Sequence, residues 1–437
     1  MVSELRIMLD KSVVRGMSNV QADALDRYFF QVVPPILINE ILADLTKEAE
    51  KPEIVKMISG QSYRISGNRG ITEDYHTVLA HSLIGHEVPM DGRFLPAGER
   101  TARSETGSVG TMIETNLEDR TILRWERREF TEGERQRARR FRSFAQRPLT
   151  PMMYLNKIKE AGFDFERPKD DGELVEAVDS LLRERKLQAR LFPLLSREHS
   201  IPLPSQKLVL DRWDKEGRPM FEVFAPYAFF CLRANFIWSL SLVNLDRPDK
   251  NDRKDLEYIY YLPRCEMFGS GDEKHQRLVP FLLRDDQTFV DGNELKEDLK
   301  RLSEKWEALS QEERIRAASQ RRSAPPEDAN SLIFRLWKKH RNQINKSIPL
   351  QVLDAQAVDS SQPSEEESQM SFGEFIRMKG KQLEASKELS SEELKTLRDG
   401  KTDPPTWAMR KTMMSKERIL KRYPWLTADD LEKSNFD

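Results

Sequence analysis

The sequence predicts an α/β protein built around a central, mostly parallel sheet. Short apolar segments of strand length occur near both ends of residues 1–310, and helical patterns alternate with them. A long polar segment separates the two groups, so one sheet must be assembled from distant parts of the chain. The predicted strands are residues 6–9, 32–33, 265–268 and 288–290.

Helical patterns accompany the first two predicted strands. Residues 21–31 have the apolar spacing of a helix. A second helix is predicted to begin at Pro34-Pro35, because proline suits the first helical turn. Glu40 and Asp44 lie four residues apart in this helix and therefore share one face.

The second group of elements begins with a buried helix at 222–241, rich in Phe, Ala and Leu. A polar loop leads to a helix that starts at Asp252 or Asp255. This helix ends before Pro263, because the residue preceding a proline disfavours helical conformation. A charged helix at 293–308 follows the last predicted strand.

The domain organisation follows from these patterns. A chain of 437 residues has room for about three domains. We expect a large insertion that contributes no strand to the sheet and is mainly helical from about residue 150. Capping-box signals and an acidic, Ser-rich stretch mark the C-terminal region. The predicted segments are the first part of the α/β domain (1–50), the Arg-rich, partly helical insertion (51–215), the second part (216–308), a helical extension (309–354), a flexible linker (355–370) and a C-terminal helical segment (371–437).

Composition and charge limit the classes of function. Charged residues make up 33% of the chain and hydrophobic residues 38%, which indicates a moderate core with much solvated helix. The net charge of −2 gives no global attraction to nucleic acid, so any such binding must come from local patches. Cys231 and Cys265 lie in apolar stretches, which favours buried free thiols. Neither belongs to a CxxC pair, so a structural zinc site is not expected.

The sequence favours a soluble, cytoplasmic protein without a membrane partner. Charged residues from Arg6 to Arg15 interrupt any signal-peptide core. The longest apolar stretch, 223–242, contains Arg233 and Asn235, whereas a membrane span needs about 20 nearly uninterrupted apolar residues.

Four acidic residues are candidates for one metal site. Asp10 and Asp272 each follow a predicted strand, and parallel sheets bind ligands beyond the carboxyl ends of their strands. Glu40 and Asp255 lie on the helices nearby. Such a cluster would bind Mg²⁺ or Mn²⁺, which prefer oxygen ligands and can promote phosphodiester hydrolysis. Each acid also has a structural interpretation, as a turn residue, a helix cap or a solvated helix residue.

The motifs around these acids resemble those of PIN-domain nucleases. Met8-Leu9-Asp10-Lys11-Ser12-Val13-Val14 is similar to the first strand motif of that family, and the helix from Pro34 to Leu45 with Glu40 at its centre is similar to its second acidic motif. Asp255-Leu256-Glu257-Tyr258-Ile259 and Phe268-Gly269-Ser270-Gly271-Asp272 resemble the third and fourth. The resemblance covers about residues 5–48 and 220–300.

This resemblance implies a three-layer α/β/α sandwich that cleaves RNA, or sometimes DNA flaps, with divalent metal. Asp10, Glu40, Asp255 and Asp272 would be the catalytic metal ligands. The supporting residues would be Ser12, Ser270, Asp252 and Asp44.

Basic residues indicate where a nucleic acid could bind. Residues 120–147 are rich in arginine, with aromatic residues among them, a combination suited to phosphate contact and base stacking. Interspersed glutamates leave open a salt-bridged helix face instead. The predicted substrate-binding residues are Lys11, His275, Arg127, Arg128, Arg139 and Arg140.

The sequence as a whole favours a PIN-type, metal-dependent endoribonuclease, toxin-like or defence-like by analogy alone. An alternative is a catalytically weak PIN-like scaffold that binds RNA or protein. A metal-dependent phosphatase on a similar sheet is a third possibility. The C-terminal helices could pack on the core or bind an inhibitor or partner protein.

Overall fold

The computed structural model describes residues 5–145, 168–314 and 325–347 with short gaps, isolated positions between 149 and 160, and residues 387–388 and 408–409. The predicted linker and nearly all of the predicted C-terminal helical segment, including the second capping box at Ser390, lie outside the described residues. The first capping box is confirmed, because Ser310 and Glu313 exchange backbone-to-side-chain hydrogen bonds of 2.7 and 3.3 Å.

The strands form two sheets. The strands are β1 (Leu5–Leu9), β2 (Phe29–Val33), β3 (Arg69–Ile71), β4 (Glu99–Arg103), β5 (Val109–Ile113), β6 (Met267–Ser270), β7 (Thr288–Asp291), β8 (Lys387–Glu388) and β9 (Ala408–Met409). The central sheet has the order β3-β2-β1-β6-β7, and every neighbouring pair in it is parallel. The smaller sheet has the order β8-β4-β5-β9.

Helices make up most of the remaining described structure. The α-helices are α1 (Lys11–Gly16), α2 (Asn19–Tyr28), α3 (Pro35–Ala43), α4 (Ile54–Arg64), α5 (Tyr75–Leu83), α6 (Leu117–Glu126), α7 (Glu132–Ala145), α8 (Asp171–Leu182), α9 (Gln188–Glu198), α10 (Leu203–Lys215), α11 (Phe221–Phe224), α12 (Pro226–Asn244), α13 (Asp252–Ile259), α14 (Glu273–Leu278), α15 (Gly292–Glu307) and α16 (Leu332–Ser347). Short 3₁₀ helices lie at Asp44–Lys47, Arg185–Leu187, Leu262–Arg264 and Val279–Leu282.

Helices cover the central sheet on both faces. Successive strand residues point to opposite faces, and all five residues of β2 are buried. A strand buried in this way is typical of a parallel sheet between two helical layers. The α/β class and the mostly parallel sheet predicted from the sequence are therefore confirmed.

One expectation about the elements was wrong. The insertion does contribute to the sheet, because β3 pairs with β2 through Gln31, Val32 and Val33. A three-residue strand is too short to show an alternating pattern. A short helix, α1, begins directly after Asp10, so that Asp10 is a helix cap and not a turn residue.

The strand order places a crevice beside β1. From β1 the chain builds outward through β2 to β3, and β6 and β7 then add to the other side of β1. The direction of sheet growth therefore reverses between β1 and β6. Neighbouring connections diverge at such a point, and a crevice opens beyond the carboxyl ends of the two strands.

The described part of the predicted insertion is largely helical. Its helix α7 packs against α3, and α8 packs against the buried helix α12. None of the helices in the described ranges is both long and apolar enough to cross a bilayer.

Candidate active site

Asp10 lies at the crevice, immediately after β1. Its carboxylate caps α1 by accepting a hydrogen bond of 3.0 Å from the Val13 N–H. The hydroxyl of Ser12 donates to it at 2.8 Å, and that of Ser270, at the end of β6, donates at 2.6 Å. Burial raises the pKa of Asp10, while His275 and the hydroxyl donors act in the opposite direction.

His275 supports this arrangement from behind. Its side chain is fully buried, with Nδ1 2.9 Å from Ser270 Oγ and Nε2 2.9 Å from the backbone oxygen of Asp255. The prediction that His275 contacts substrate is therefore wrong. Helix α14 begins right after Asp272, so that the third residue of the helix turns toward the core.

Asp272 follows β6 and caps α14. Its Oδ1 accepts hydrogen bonds from the N–H groups of Lys274 and His275 at 2.9 and 3.1 Å. The neighbouring Asp252 is buried and forms an ion pair with Lys274. Asp252 thus anchors α13 to the start of α14, which agrees with a supporting place beside the site.

Glu40 reaches the crevice from α3. It is 6% exposed, and Tyr258 donates a hydrogen bond of 2.7 Å to its Oε2. The ammonium group of Lys254 lies 3.1 Å from its Oε1. Both carboxylate oxygens of Glu40 are therefore engaged by residues of α13.

Asp255 carries the least compensated charge of the group. No side chain or backbone N–H in the described residues donates a hydrogen bond to its carboxylate. Burial raises the pKa of Asp255 well above its ordinary value, and the charges of Asp272, Glu40 and Asp10 raise it further. The charge of Lys254 acts in the opposite direction. The carboxyl therefore lies in the combined field of the other three acids.

All four predicted acids line one cavity of about 380 Å³. The cavity lies at the carboxyl ends of β1 and β6, where sheet growth reverses. It is lined by Asp10, Lys11, Ser12, Arg15, Glu40, Ala43, Asp44, Lys47, Phe141, Arg142, Ala145, Asn251, Lys254, Asp255, Tyr258 and Asp272. The sequence therefore identified acids that share a site although distant segments of the chain carry them.

The rim of this cavity is basic. Lys11 donates a hydrogen bond of 2.6 Å to the backbone oxygen of Glu40 and pairs with Asp44 at 2.8 Å. Lys47 also pairs with Asp44 at 2.8 Å. Burial alone would raise the pKa of Asp44, but these two ammonium groups lower it. Asp44 thus serves to hold the two lysines at the rim.

The arginine-rich segment reaches the cavity through different residues from those predicted. Helix α7 contributes Phe141 and Arg142 to the wall, whereas Arg127, Arg128, Arg139 and Arg140 are exposed and lie outside it. Arg139 pairs with Glu132 at 2.6 Å, as the salt-bridge interpretation of this segment expected. The sequence showed that arginines are abundant here but not which face of α7 meets the site.

The donor chemistry suits a hard divalent cation, because carboxylates from four different segments of the chain line the cavity. In this structure, however, no three His, Cys, Asp or Glu side chains of the described residues form a group that could hold one metal ion. In this arrangement both oxygens of Glu40 contact residues of α13, Lys254 and Tyr258.

Comparisons with known proteins add no assignment: no protein-family model matches the chain, and no curated protein or solved structure is similar to it. The α/β fold and the acids at the crevice between β1 and β6 are therefore the features that indicate the class of protein.

Proposed function

We propose that this protein is a divalent-metal-dependent endoribonuclease of PIN type that hydrolyses RNA phosphodiester bonds. The observation that carries the proposal is the convergence of Asp10, Glu40, Asp255 and Asp272 on one cavity. The cavity lies at the position in the sheet where open α/β proteins bind their ligands.

The four acids are the residues that would hold Mg²⁺ or Mn²⁺. When bound, such a cation supplies neutralisation of phosphodiester charge and a lowered pKa for water. The pKa of Asp255 is raised first by burial and then by the charges of Asp272, Glu40 and Asp10, and a cation bound among these acids would favour the ionised carboxylate.

The neighbouring polar residues keep the acids in place. Ser12 and Ser270 hold the Asp10 carboxylate from two sides. His275 joins Ser270 to the backbone of Asp255 and so ties β6 to α13. Rigid support of this kind preserves the separation of the acids before and after substrate binds.

The rim suits a strand of nucleic acid. Arg15, Lys47 and Arg142 bring positive charge to the wall above the acids and can contact phosphates. Phe141 offers an aromatic ring on which an unpaired base can stack. This combination supports RNA in single-stranded form as the substrate.

The test is cleavage of labelled single-stranded RNA in the presence of Mn²⁺. We expect cleavage by the parent protein and a loss of at least about 100-fold in Asp10→Asn and Asp255→Asn, since each removes a proposed metal ligand. Glu273→Gln is the matched control, because Glu273 is exposed, adjoins Asp272 and does not line the cavity. Cleavage that persists in both Asn variants would exclude this cavity as its source.

A catalytically weak PIN-like scaffold that binds RNA is the second candidate. It is favoured by the ion pair between Lys254 and Glu40 and by the lack of a ready-formed metal cage among the described residues. RNA binding by the parent protein without cleavage at any Mn²⁺ concentration would support the scaffold over the nuclease.

A further inference from the structure

Lys254 occupies a distinctive place in the carboxylate cavity. Its ammonium group lies 3.1 Å from Glu40 Oε1 and donates a hydrogen bond of 2.9 Å to Asn251 Oδ1. The side chain is 22% exposed, so its charge is only partly solvated. The other lysines of the cavity, Lys11 and Lys47, pair with Asp44 instead.

The charge of Lys254 acts on two of the four acids at once. It pairs directly with Glu40 and opposes the unfavourable field at Asp255. Tyr258 donates a hydrogen bond to the second oxygen of Glu40, so a cation approaching this carboxylate competes with the ammonium group for Oε1.

We propose that Lys254 is a built-in counter-ion that holds the place of a divalent cation and competes with it. This inference rests on the proposed function, and it explains why four carboxylates share a cavity without forming a cage. Two positive centres so close together repel each other, so the bound cation and the Glu40–Lys254 pair exclude one another.

The displaced ammonium group of Lys254 can then contact the substrate. Lys254 lies on α13 and lines the cavity, and its flexible side chain can leave Glu40 while it remains within the cavity. There it can pair with a phosphate oxygen of the substrate. Binding of the cation would thereby prepare a phosphate contact.

The test compares Lys254→Met with Lys47→Met, which removes a charge from the same cavity but not from Glu40. Mn²⁺ affinity is measured by calorimetry on the full chain, and melting temperature is measured in EDTA and in Mn²⁺. We expect Lys254→Met to bind Mn²⁺ at least about 10-fold more tightly than the parent, and Lys47→Met to stay within about threefold. In EDTA, Lys254→Met should melt below Lys47→Met, because the acids lose their internal cation.

The outcomes separate this inference from the proposed function. If the parent binds Mn²⁺ but the two variants show equal affinities, the role of Lys254 is overturned and the metal site stands. If no protein binds Mn²⁺ and Lys254→Met still melts lowest in EDTA, the counter-ion role stands and the metal-dependent function fails. Equal melting temperatures in EDTA, with no Mn²⁺ binding by any protein, would overturn both.

Discussion

Replacement of Asp255 by Asn should change the stability of the protein in opposite directions without and with metal. In EDTA the Asp255 carboxylate is half-buried, receives no hydrogen bond from the described residues and faces the charges of Asp272, Glu40 and Asp10. Asparagine has nearly the same shape but no charge. Removal of this half-buried, poorly compensated charge should stabilise the fold by about 1 kcal/mol.

With Mn²⁺ the order should reverse. At a free concentration 100 times the dissociation constant, a bound ligand stabilises the native state by about 2.7 kcal/mol. The parent would gain this amount, whereas Asp255→Asn would lose a ligand and most of the gain. Each kcal/mol corresponds to a shift of roughly 2–4 °C in melting temperature, so both differences are measurable.

The assay is thermal or urea unfolding at pH 7.5 in EDTA and in Mn²⁺, with Glu273→Gln as the control for loss of an exposed charge. The control should follow the parent under both conditions. A variant that is less stable than the parent in EDTA would refute the description of Asp255 as an uncompensated charge. Equal stabilisation of parent and variant by Mn²⁺ would refute its role as a ligand.

Two further predictions concern substrate and pH. Arg142→Gln should weaken binding of single-stranded RNA about fivefold and lower the slope of log affinity against log salt concentration by about 0.7. Both quantities are measured by fluorescence anisotropy. Arg139→Gln should change both less, because Arg139 pairs with Glu132 outside the cavity. Glu257 has a pKa raised from 4.5 to about 8, by burial first and then by Asp74 and Glu40. The folded state therefore holds this proton more tightly than the unfolded state, and proton binding by Glu257 contributes to the free energy of unfolding. This contribution is complete below pH 4.5 and is lost as pH rises through 8. Between pH 5 and pH 8 the unfolding free energy should fall by about 3 kcal/mol more in the parent than in Glu257→Gln, and parallel pH profiles would contradict this.

The sequence was most informative about the centre of the site. Asp10 and Asp272 could be placed because each follows a short apolar strand, and strand ends of a parallel sheet meet at one edge. Glu40 was chosen because the apolar helix around it resembles a family motif and because it occurs together with the other acids. These signals depend on local patterns that a single sequence displays directly.

The residues at the rim of the site could not be predicted from local sequence patterns, because tertiary packing selects them. The inward face of α7 is set by its packing on α3, and this selects Phe141 and Arg142 rather than Arg139 and Arg140. The burial of His275 depends on where α14 begins. Strand β3 was missed because three residues carry no readable alternation, and only its pairing with β2 defines it.

The most direct test of the proposed shared metal site is to locate Mn²⁺ in crystals of the protein by its anomalous scattering. The account predicts a peak inside the cavity, with oxygens of Asp10 and Asp255 roughly 2.0–2.3 Å from it and Lys254 turned away from Glu40. A well-occupied peak elsewhere in the molecule, with the Lys254–Glu40 pair intact and the cavity free of metal, would contradict the account.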